Sequence, residues 1–410
     1  MATDAAPASR NAALFVFVTV ALDAMGIGII VPVMPDLLQE LSGLSIGEAA
    51  IWGGYLAFSY ALMQFVFSPT IGNLSDRYGR RPILLISLAT LSVDYIVMAL
   101  APTLWLLFVG RIIAGIAGAT YSTATAFIAD VTPKEQRAAA FGLVGAGFGV
   151  GFVFGPAIGG LAGEFGTRAP FIAASIVAFA NFIYGWFVLP ESLSPENRRP
   201  FDWRRANPLG GIRQIAKFPM VAWFILVSFL YSVSHYVYPS IWSFYTKEKF
   251  AWSNLEIGLS LAAVGIGFAI VQGWAIRYIL RWLGEKMTAY VGFFMNFAGM
   301  VGIAMIVQGW MIYAIMPLIV LGDIVKPALT GLMSNRIPDD AQGELQGVIA
   351  SAQAITVIIS PVMLTQLFGA FTHPGGALPY FPGAPFVASA AIMALAVIPF
   401  VMGLRAGRTT

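Results

Sequence analysis

The chain has 410 residues, of which 58% are hydrophobic and 10% charged, with a formal net charge of +3 and a mean hydropathy of +0.80. A soluble domain carries about 25% charged residues, so the composition excludes a water-soluble globular fold and points to a helical chain that crosses a bilayer many times. There is no cysteine and there are two histidines, His235 and His373, which excludes disulfides, thiol chemistry and a cysteine-based metal centre.

In chain order, a polar, alanine-rich stretch, residues 1–11, precedes the first apolar run. No short apolar region with a cleavage site follows, so the first span reads as a retained helix. Twelve apolar spans are expected, near 12–35, 50–71, 83–101, 104–127, 138–162, 169–189, 219–245, 256–280, 287–307, 311–333, 344–369 and 385–403. Each is long enough to cross a hydrocarbon core of about 30 Å at about 1.5 Å per residue. Pro32, Pro156, Pro239, Pro327 and Pro361 fall inside them and predict kinks.

Between the second and third spans stands Gly72-Asn73-Leu74-Ser75-Asp76-Arg77-Tyr78-Gly79-Arg80-Arg81-Pro82. It reads as a tight turn at the membrane face. Gly72 and Gly79 allow close backbone approach or positive φ. Arg77, Arg80 and Arg81 mark the cytoplasmic side. Asp76 lies where a helix ends, placed to face the positive N-terminus of a neighbouring helix. With both termini inside, 18 of the 23 Lys and Arg fall on that side, and 3 (Arg168, Lys247 and Lys249) on the opposite one. Arg111 and Lys326 remain within the membrane. This asymmetry predicts an even number of spans with cytoplasmic termini.

The longest polar stretch carries Pro190, Pro195, Pro200 and Pro208 and crowds arginines from Arg198 to Arg213. It divides the chain into a half at 1–190, a cytoplasmic linker at 191–218 and a half at 219–410. A short amphipathic helix lying on anionic lipid is expected within the linker. The halves look duplicated. Gly79, Pro133, Gly142 and Pro156 are echoed by Gly284, Pro338, Gly347 and Pro361, always 205 residues on. In the second copy the charges are exchanged: Glu285 stands at the offset of Arg80 and Arg281 at that of Asp76.

Ionisable groups inside spans are costly and either line a cavity or pair together. The set here is Asp23, Asp94, Arg111, His235, Asp323 and Lys326. Asp23 reads as a functional carboxylate of the first span. Asp94 either takes part in coupling or holds a helix contact, and Arg111 is either functional or structural glue. His235, among Tyr231, Tyr236 and Tyr238, is either a site residue or a hydrogen-bonded core residue. Asp323 and Lys326, three apart, are expected to share one helix face and pair. That pair is either an ionisable element of the C-half or a permanent structural link. Tyr55, Phe58, Tyr60, Phe65, Tyr231, Tyr236, Tyr238, Trp242 and Phe268 supply an apolar wall for a planar amphipathic molecule or anchor the helices at the membrane interface. Gln64, His235 and Asn296 are the candidate polar contacts of that wall.

Several of these runs carry a family resemblance. The 72–82 stretch resembles the G-x-L-x-D-R-x-G-R-R loop between the second and third helices of major facilitator superfamily transporters. Gly110-Arg111-Ile112-Ile113-Ala114-Gly115 is similar to their fourth helix with its embedded arginine. The fifth span, ending Gly155-Pro156-Ala157-Ile158-Gly159-Gly160, resembles the glycine-rich G-P-x-x-G-G helix of facilitator exporters; glycines at such spacing let helices touch backbone to backbone. Leu22-Asp23-Ala24-Met25-Gly26-Ile27-Gly28, Tyr60-Ala61-Leu62-Met63-Gln64, Asp94-Tyr95, Ile128-Ala129-Asp130 and Gly343-Glu344-Leu345-Gln346-Gly347 look like the tetracycline efflux transporters of that superfamily. The resemblance implies an all-α membrane fold of twelve helices in two pseudo-symmetric six-helix bundles, the parallel repetition of halves seen above. It implies alternating access around a central cavity and export of an amphipathic, drug-like molecule against protons. It implies roles in drug–proton exchange for Asp23, Asp76, Asp94 and Arg111; Asp323 and Lys326, outside the resemblance, are read as the ionisable, proton-coupling element of the C-half. Gly72, Asp76, Arg77, Gly79, Arg80, Arg81, Asp130, Gly155, Pro156, Gly159 and Gly160 form the conformational switch. Two departures stand out. The family's ninth-helix aspartate is an amide here, Asn296 in Gly292-Phe293-Phe294-Met295-Asn296, and Asp323 and Lys326 occupy places where the family has small or apolar residues. The identity of the drug, tetracycline included, therefore stays open.

The alternative is a proton-coupled carrier of a sugar or organic anion on the same fold. A receptor or scaffold without transport is a third class. No phosphate loop, zinc cluster or nucleophile motif is present to suggest an enzyme. The expected partners are a small-molecule substrate, protons and the bilayer, with no cofactor, metal or nucleic acid. The expected setting is a bacterial inner (plasma) membrane, with the chain acting as a monomer.

Overall fold

The computed structural model describes residues 6–118, 120–133, 136–202, 221–338, 341–373 and 375–406, and among them it is helical throughout, with no strand. The helices are α1 (Ala6–Ile30), α2 (Met34–Ser42), α3 (Ile46–Tyr78), α4 (Arg80–Leu100), α5 (Leu104–Ala117), α6 (Thr120–Val131), α7 (Arg137–Gly163) and α8 (Ala169–Val188), then α9 (Ala222–His235), α10 (Val237–Phe250), α11 (Asn254–Ile270), α12 (Ile276–Met305), α13 (Met311–Gly322), α14 (Val325–Ser334), α15 (Gln342–Thr372) and α16 (Ala384–Ala406). A bilayer leaves no water to satisfy exposed backbone groups, so an apolar chain of this kind closes all its hydrogen bonds within helices.

Nine of the described helices are long and apolar enough to cross a membrane, and the pair Leu14–Ile30 and Met34–Ser42, bent by 47°, makes a tenth. The helical run Asn254–Met305 has 52 residues, about 78 Å at 1.5 Å per residue, more than twice a hydrocarbon core. It breaks at Gly284, where φ is 67°, and so supplies two of the twelve expected spans. The expected fourth span is divided between α5 and α6.

The prolines act in two ways. Pro32 lies in the bend between α1 and α2, while Pro239 and Pro327 sit in the first turns of α10 and α14. There a missing N–H costs nothing, because first-turn N–H groups have no helical partner. Pro156 and Pro361 stay inside the continuous helices α7 and α15 and break neither.

The chain divides into two compact units. One comprises Met1–Ser42, Ser59–Pro208 and Ser253–Ala262; the other comprises Gly43–Phe58, Leu209–Trp252 and Ala263–Thr410. Thus α3 and α11 each contribute to both.

In the first unit α1 packs chiefly against α7 and α8, and α4 against α8. Its core gathers Phe15, Val20, Leu84, Phe127, Ile128 and Val144, with the Phe15 and Tyr184 rings stacked at 5.2 Å. Polar side chains tie the helices: Asn181 Nδ2 donates to the Thr19 carbonyl at 2.9 Å, and Ser92 and Ser175 donate reciprocally to each other's carbonyls at 3.2 and 3.0 Å. In hydrocarbon such bonds hold helices that apolar contact alone leaves free to slide. The α1–α7 contact depends on the glycines of α7. A Cβ on Gly155 would stand 2.7 Å from the Met25 carbonyl oxygen, and one on Gly159 would overlap the Ile29 carbonyl. Pro156 lies against Gly28. On its other side α7 receives the start of α11, with Gly160 against Asn254 and Leu255; Asn254 Nδ2 in turn donates to Asp36 at 2.8 Å.

In the second unit α9 packs against α16 and α15, and α12 against α13, α14 and α16. Phe400 forms edge contacts with Phe224, Tyr290 and Phe293. Ser234 Oγ donates to the Ser389 carbonyl at 2.6 Å.

Three expectations need correction. The 72–82 stretch is not an open turn: α3 runs on to Tyr78 and α4 begins at Arg80, so Gly79 alone leaves the helix. Gly72 lies within α3 without positive φ, and no described atom stands within 4 Å of a Cβ placed there. Asp323 and Lys326 do not lie on one continuous helix, because α13 ends at Gly322 and α14 starts at Val325. The first part of the linker is extended apart from a turn at Pro195–Asn197, and it is tied down by Asn73, whose Nδ2 donates to the Asp202 carbonyl at 2.6 Å. The amphipathic helix expected beyond it lies outside the described residues.

Gly159→Ala is expected to lower the midpoint of thermal unfolding in detergent through an overpacking cost of about 1–3 kcal/mol. Gly149→Ala, on the open side of the same helix, should leave it unchanged or raise it, since alanine favours a helix by about 1 kcal/mol over glycine. Equal midpoints for the two variants would contradict the α1–α7 contact.

Candidate functional site

Three polar clusters stand in or beside the spans. The first is at the α3–α4 junction. Gly79 has φ 109°, and a Cβ there would lie 2.7 Å from the Glu191 carboxyl carbon, so only glycine fits. That sharp junction brings Arg80 inward. Its side chain is 11% exposed and bridges two carboxylates, Asp76 at 2.6 Å and Asp130 at 3.0 Å. It also donates to Ser75 Oγ at 3.1 Å, while its backbone N–H donates to Glu191 at 2.8 Å. Arg81 Nη2 donates to the Trp186 carbonyl at 2.8 Å, and exposed Arg77 lies over the Tyr78 ring. The duplicated position has the same backbone with the chemistry exchanged. Gly284 also has positive φ, and Glu285, 205 residues after Arg80, accepts from Asn335, 205 residues after Asp130, at 2.9 Å.

The second cluster lies within the first unit. Asp94 on α4, 3% exposed, forms an ion pair with Arg111 on α5. Gly110 makes room for it, since a Cβ there would stand 2.6 Å from Asp94 Oδ1. The Arg111 guanidinium lies 5.4 Å from the Tyr60 ring centre and 6.0 Å from that of Tyr95. Asp23 on α1 stands one turn before Gly26, against which the Tyr95 ring packs. Its Oδ1 is buried with no hydrogen-bond partner among the described residues, and the same holds for the Tyr95 hydroxyl. Gln64 Nε2 donates to the Gly118 carbonyl at 2.6 Å.

The third cluster lies within the second unit, around the α13–α14 break. Asp323, 3% exposed, accepts from the Tyr231 hydroxyl at 2.8 Å and from Gln272 Nε2. Lys326 Nζ is 3.2 Å from the carboxylate and His235 Nε2 3.6 Å. Tyr231 stacks on His235, Tyr238 meets that ring edge-on, and Phe268 lies 6.3 Å from it. Asn296 is buried against Gly322; its Nδ2 donates to the Gly292 carbonyl at 3.2 Å, and its Oδ1 has no partner among the described residues.

The sequence-predicted residues therefore fall into groups. Asp94 and Arg111 come together with Tyr60 and Tyr95, and Asp23 stands one turn from Gly26, which meets Tyr95. Tyr231, His235, Tyr238, Asn296, Asp323 and Lys326 come together in the second unit. Trp242 packs beside Tyr238 but is 3% exposed, and Tyr236 is half-buried. Tyr55 accepts from Gln366 at 2.6 Å, and Phe58 is half-buried on the same helix. The residue missed is Gln272. It stands in a single π-helical stretch, Val271–Ala275, between α11 and α12. Such bulges turn a side chain out of its regular register. An amide in an otherwise apolar run was the available signal.

A family model described as Major Facilitator Superfamily matches residues 16–361. Tetracycline resistance protein, class C, of Escherichia coli is 41% identical over 376 residues, covering 92% of this chain and 94% of that protein. Tetracycline resistance protein, class G, of Vibrio anguillarum is 38% identical, covering 88% and 91%. Among solved structures, a bacterial homologue of the human lysosomal transporter Spinster, inward-facing and unoccupied, superposes with a TM-score of 0.77 at 16% identity, covering 98% of both chains. At that identity the likeness speaks for the fold.

Arg80→Ala would leave Asp76 and Asp130 facing each other without their shared cation. A cost of about 2 kcal/mol is expected, between that of an exposed pair and that of a broken buried one. It should appear as a lowered unfolding midpoint in detergent, partly restored in Arg80→Lys. An unchanged midpoint in Arg80→Ala would show that the bridge contributes nothing.

Proposed function

The chain belongs to the major facilitator superfamily, and on that premise we propose that it exports an amphipathic, drug-like small molecule from the cell in exchange for protons. The observation that carries the coupling is the buried Oδ1 of Asp23, which has no hydrogen-bond partner among the described residues and stands inside an apolar helix. A carboxyl so placed is poorly solvated as an anion, so binding a proton relieves it. The likeness to tetracycline resistance proteins supports a drug as the cargo.

In this reading the protein works as a monomer in a bacterial inner membrane with both termini cytoplasmic. Its halves, 1–190 and 219–410, rock about a central cavity and are joined by the linker at 191–218. Asp23 takes up and releases the proton. The Asp94–Arg111 pair, sharing Tyr95 with it, responds to that charge. Asp323 and Lys326 provide the ionisable element of the C-half, where Asn296 has no proton to exchange. Tyr55, Phe58, Gln64, Tyr231, His235, Tyr236, Tyr238, Trp242 and Asn296 contribute the substrate surface. The α3–α4 junction and the glycines of α7 carry the conformational switch: Arg80 holds Asp76 and Asp130 together in one state, and Gly155, Gly159 and Gly160 let backbones slide past each other. No catalytic chemistry is involved.

Proton-driven accumulation of tetracycline and of ethidium in everted membrane vesicles tests the reading. The wild-type protein is expected to accumulate at least one drug, and Asp23→Asn, expressed to the same level, to fall to the background of vesicles lacking it. Full transport by Asp23→Asn would remove Asp23 from the mechanism.

A further inference from the structure

The third cluster pairs two charges that are held very differently. The Asp323 side chain is 4% exposed, whereas that of Lys326 is 46% exposed. Two neutral donors, the Tyr231 hydroxyl and the Gln272 amide, fix the carboxylate from other elements of the second unit. Lys326 reaches it on a four-carbon stem, with its ammonium 3.2 Å from Oδ1 and 6.0 Å from the centre of the Tyr231 ring. A half-exposed ammonium within a span faces an aqueous opening, because lipid would not solvate it. The anion is thus fixed and enclosed, and the cation is accessible on a flexible stem.

We propose that Lys326 is a tethered counter-cation: its ammonium occupies the Asp323 carboxylate in the empty transporter and gives way there to the positively charged nitrogen of an organic-cation substrate. The inference rests on the export reading above and names the substrate class that reading leaves open.

Three features favour displacement over a permanent link. Tyr231 and Gln272 keep Asp323 hydrogen-bonded when the lysine leaves, so the carboxylate is not orphaned. The surroundings suit a weakly hydrated organic cation, since the part-exposed rings of His235, Tyr238 and Phe268 stand beside the anion over buried Tyr231. They do not suit a metal ion such as Ca²⁺, which takes about six to eight oxygen ligands. The displaced ammonium can move into water without leaving the chain. It therefore competes as an intramolecular ligand, lowering the apparent affinity for any cation by the fraction of time it holds the site.

The test uses full-length protein in detergent and fluorescence titration with ethidium. If Lys326 holds the carboxylate about nine-tenths of the time, Lys326→Met binds ethidium about tenfold more tightly than wild type. Asp323→Asn and the double variant Asp323→Asn with Lys326→Met are expected to lose that gain. The double variant leaves no unpaired charge and serves as the folded control. Equal or weaker ethidium binding by well-folded Lys326→Met overturns the proposal, and so does a double variant that binds as tightly as Lys326→Met. The export reading is judged separately, by proton-driven ethidium accumulation in vesicles holding the wild-type protein. Export without tightening in Lys326→Met sinks only the tether; tightening without export sinks only the export reading.

Discussion

A charge in the interior of a bilayer protein must be matched or it will be neutralised. That constraint arranges the polar groups of this molecule. Arg111 could not stand among apolar helices without Asp94, and Gly110 is small so that the carboxylate can reach it. Asp323 sits at the one place where α13 and α14 part, and it gathers a phenol, an amide and an ammonium around itself. Arg80, drawn inward by the turn at Gly79, is held by two carboxylates. Asp23 is the departure from the pattern. Its Oδ1 is enclosed without a partner among the described residues, and a proton is the smallest species that can supply one.

The two ends of the chain solve the same problem with different chemistry. The positive φ of Gly79 returns at Gly284, and the Arg80–Asp130 contact returns as Glu285–Asn335 at the same offset. The backbone of the duplicated unit has been kept while its charges were exchanged. On α12 an amide stands beside the Asp323 cluster. Asn296 cannot ionise, yet it packs directly against Gly322, the residue before Asp323. Asp323 is the carboxylate of that cluster.

Much of the fold was legible in the sequence, because lipid imposes length and apolarity on every span. The residues 31–33 bend and the breaks before Pro239 and Pro327 follow from proline's missing N–H. What stayed hidden depends on contacts between residues far apart in the chain. Nothing local to Glu191 shows that it caps Arg80, 111 residues away. The junction at 72–82 read as a turn because its polar residues obscured how far α3 extends; the helix reaches Tyr78, with Arg77 in its last turn, where a cation favours the helix end. Gln272 escaped notice because its importance comes from a π-helical stretch that faces it towards Asp323, 51 residues on. The buried ionisable residues were legible one by one, but which phenol or amide joins which charge required the packed helices.

The central claim is that proton movement and drug movement are linked in opposite directions through this chain. The most direct measurement is pH inside sealed proteoliposomes of the purified protein, followed with an enclosed dye while an outward tetracycline or ethidium gradient is imposed. The account predicts proton entry that requires the drug, runs against it and disappears in Asp23→Asn. Drug leaving with no change in internal pH, or with protons moving in the same direction, would contradict it.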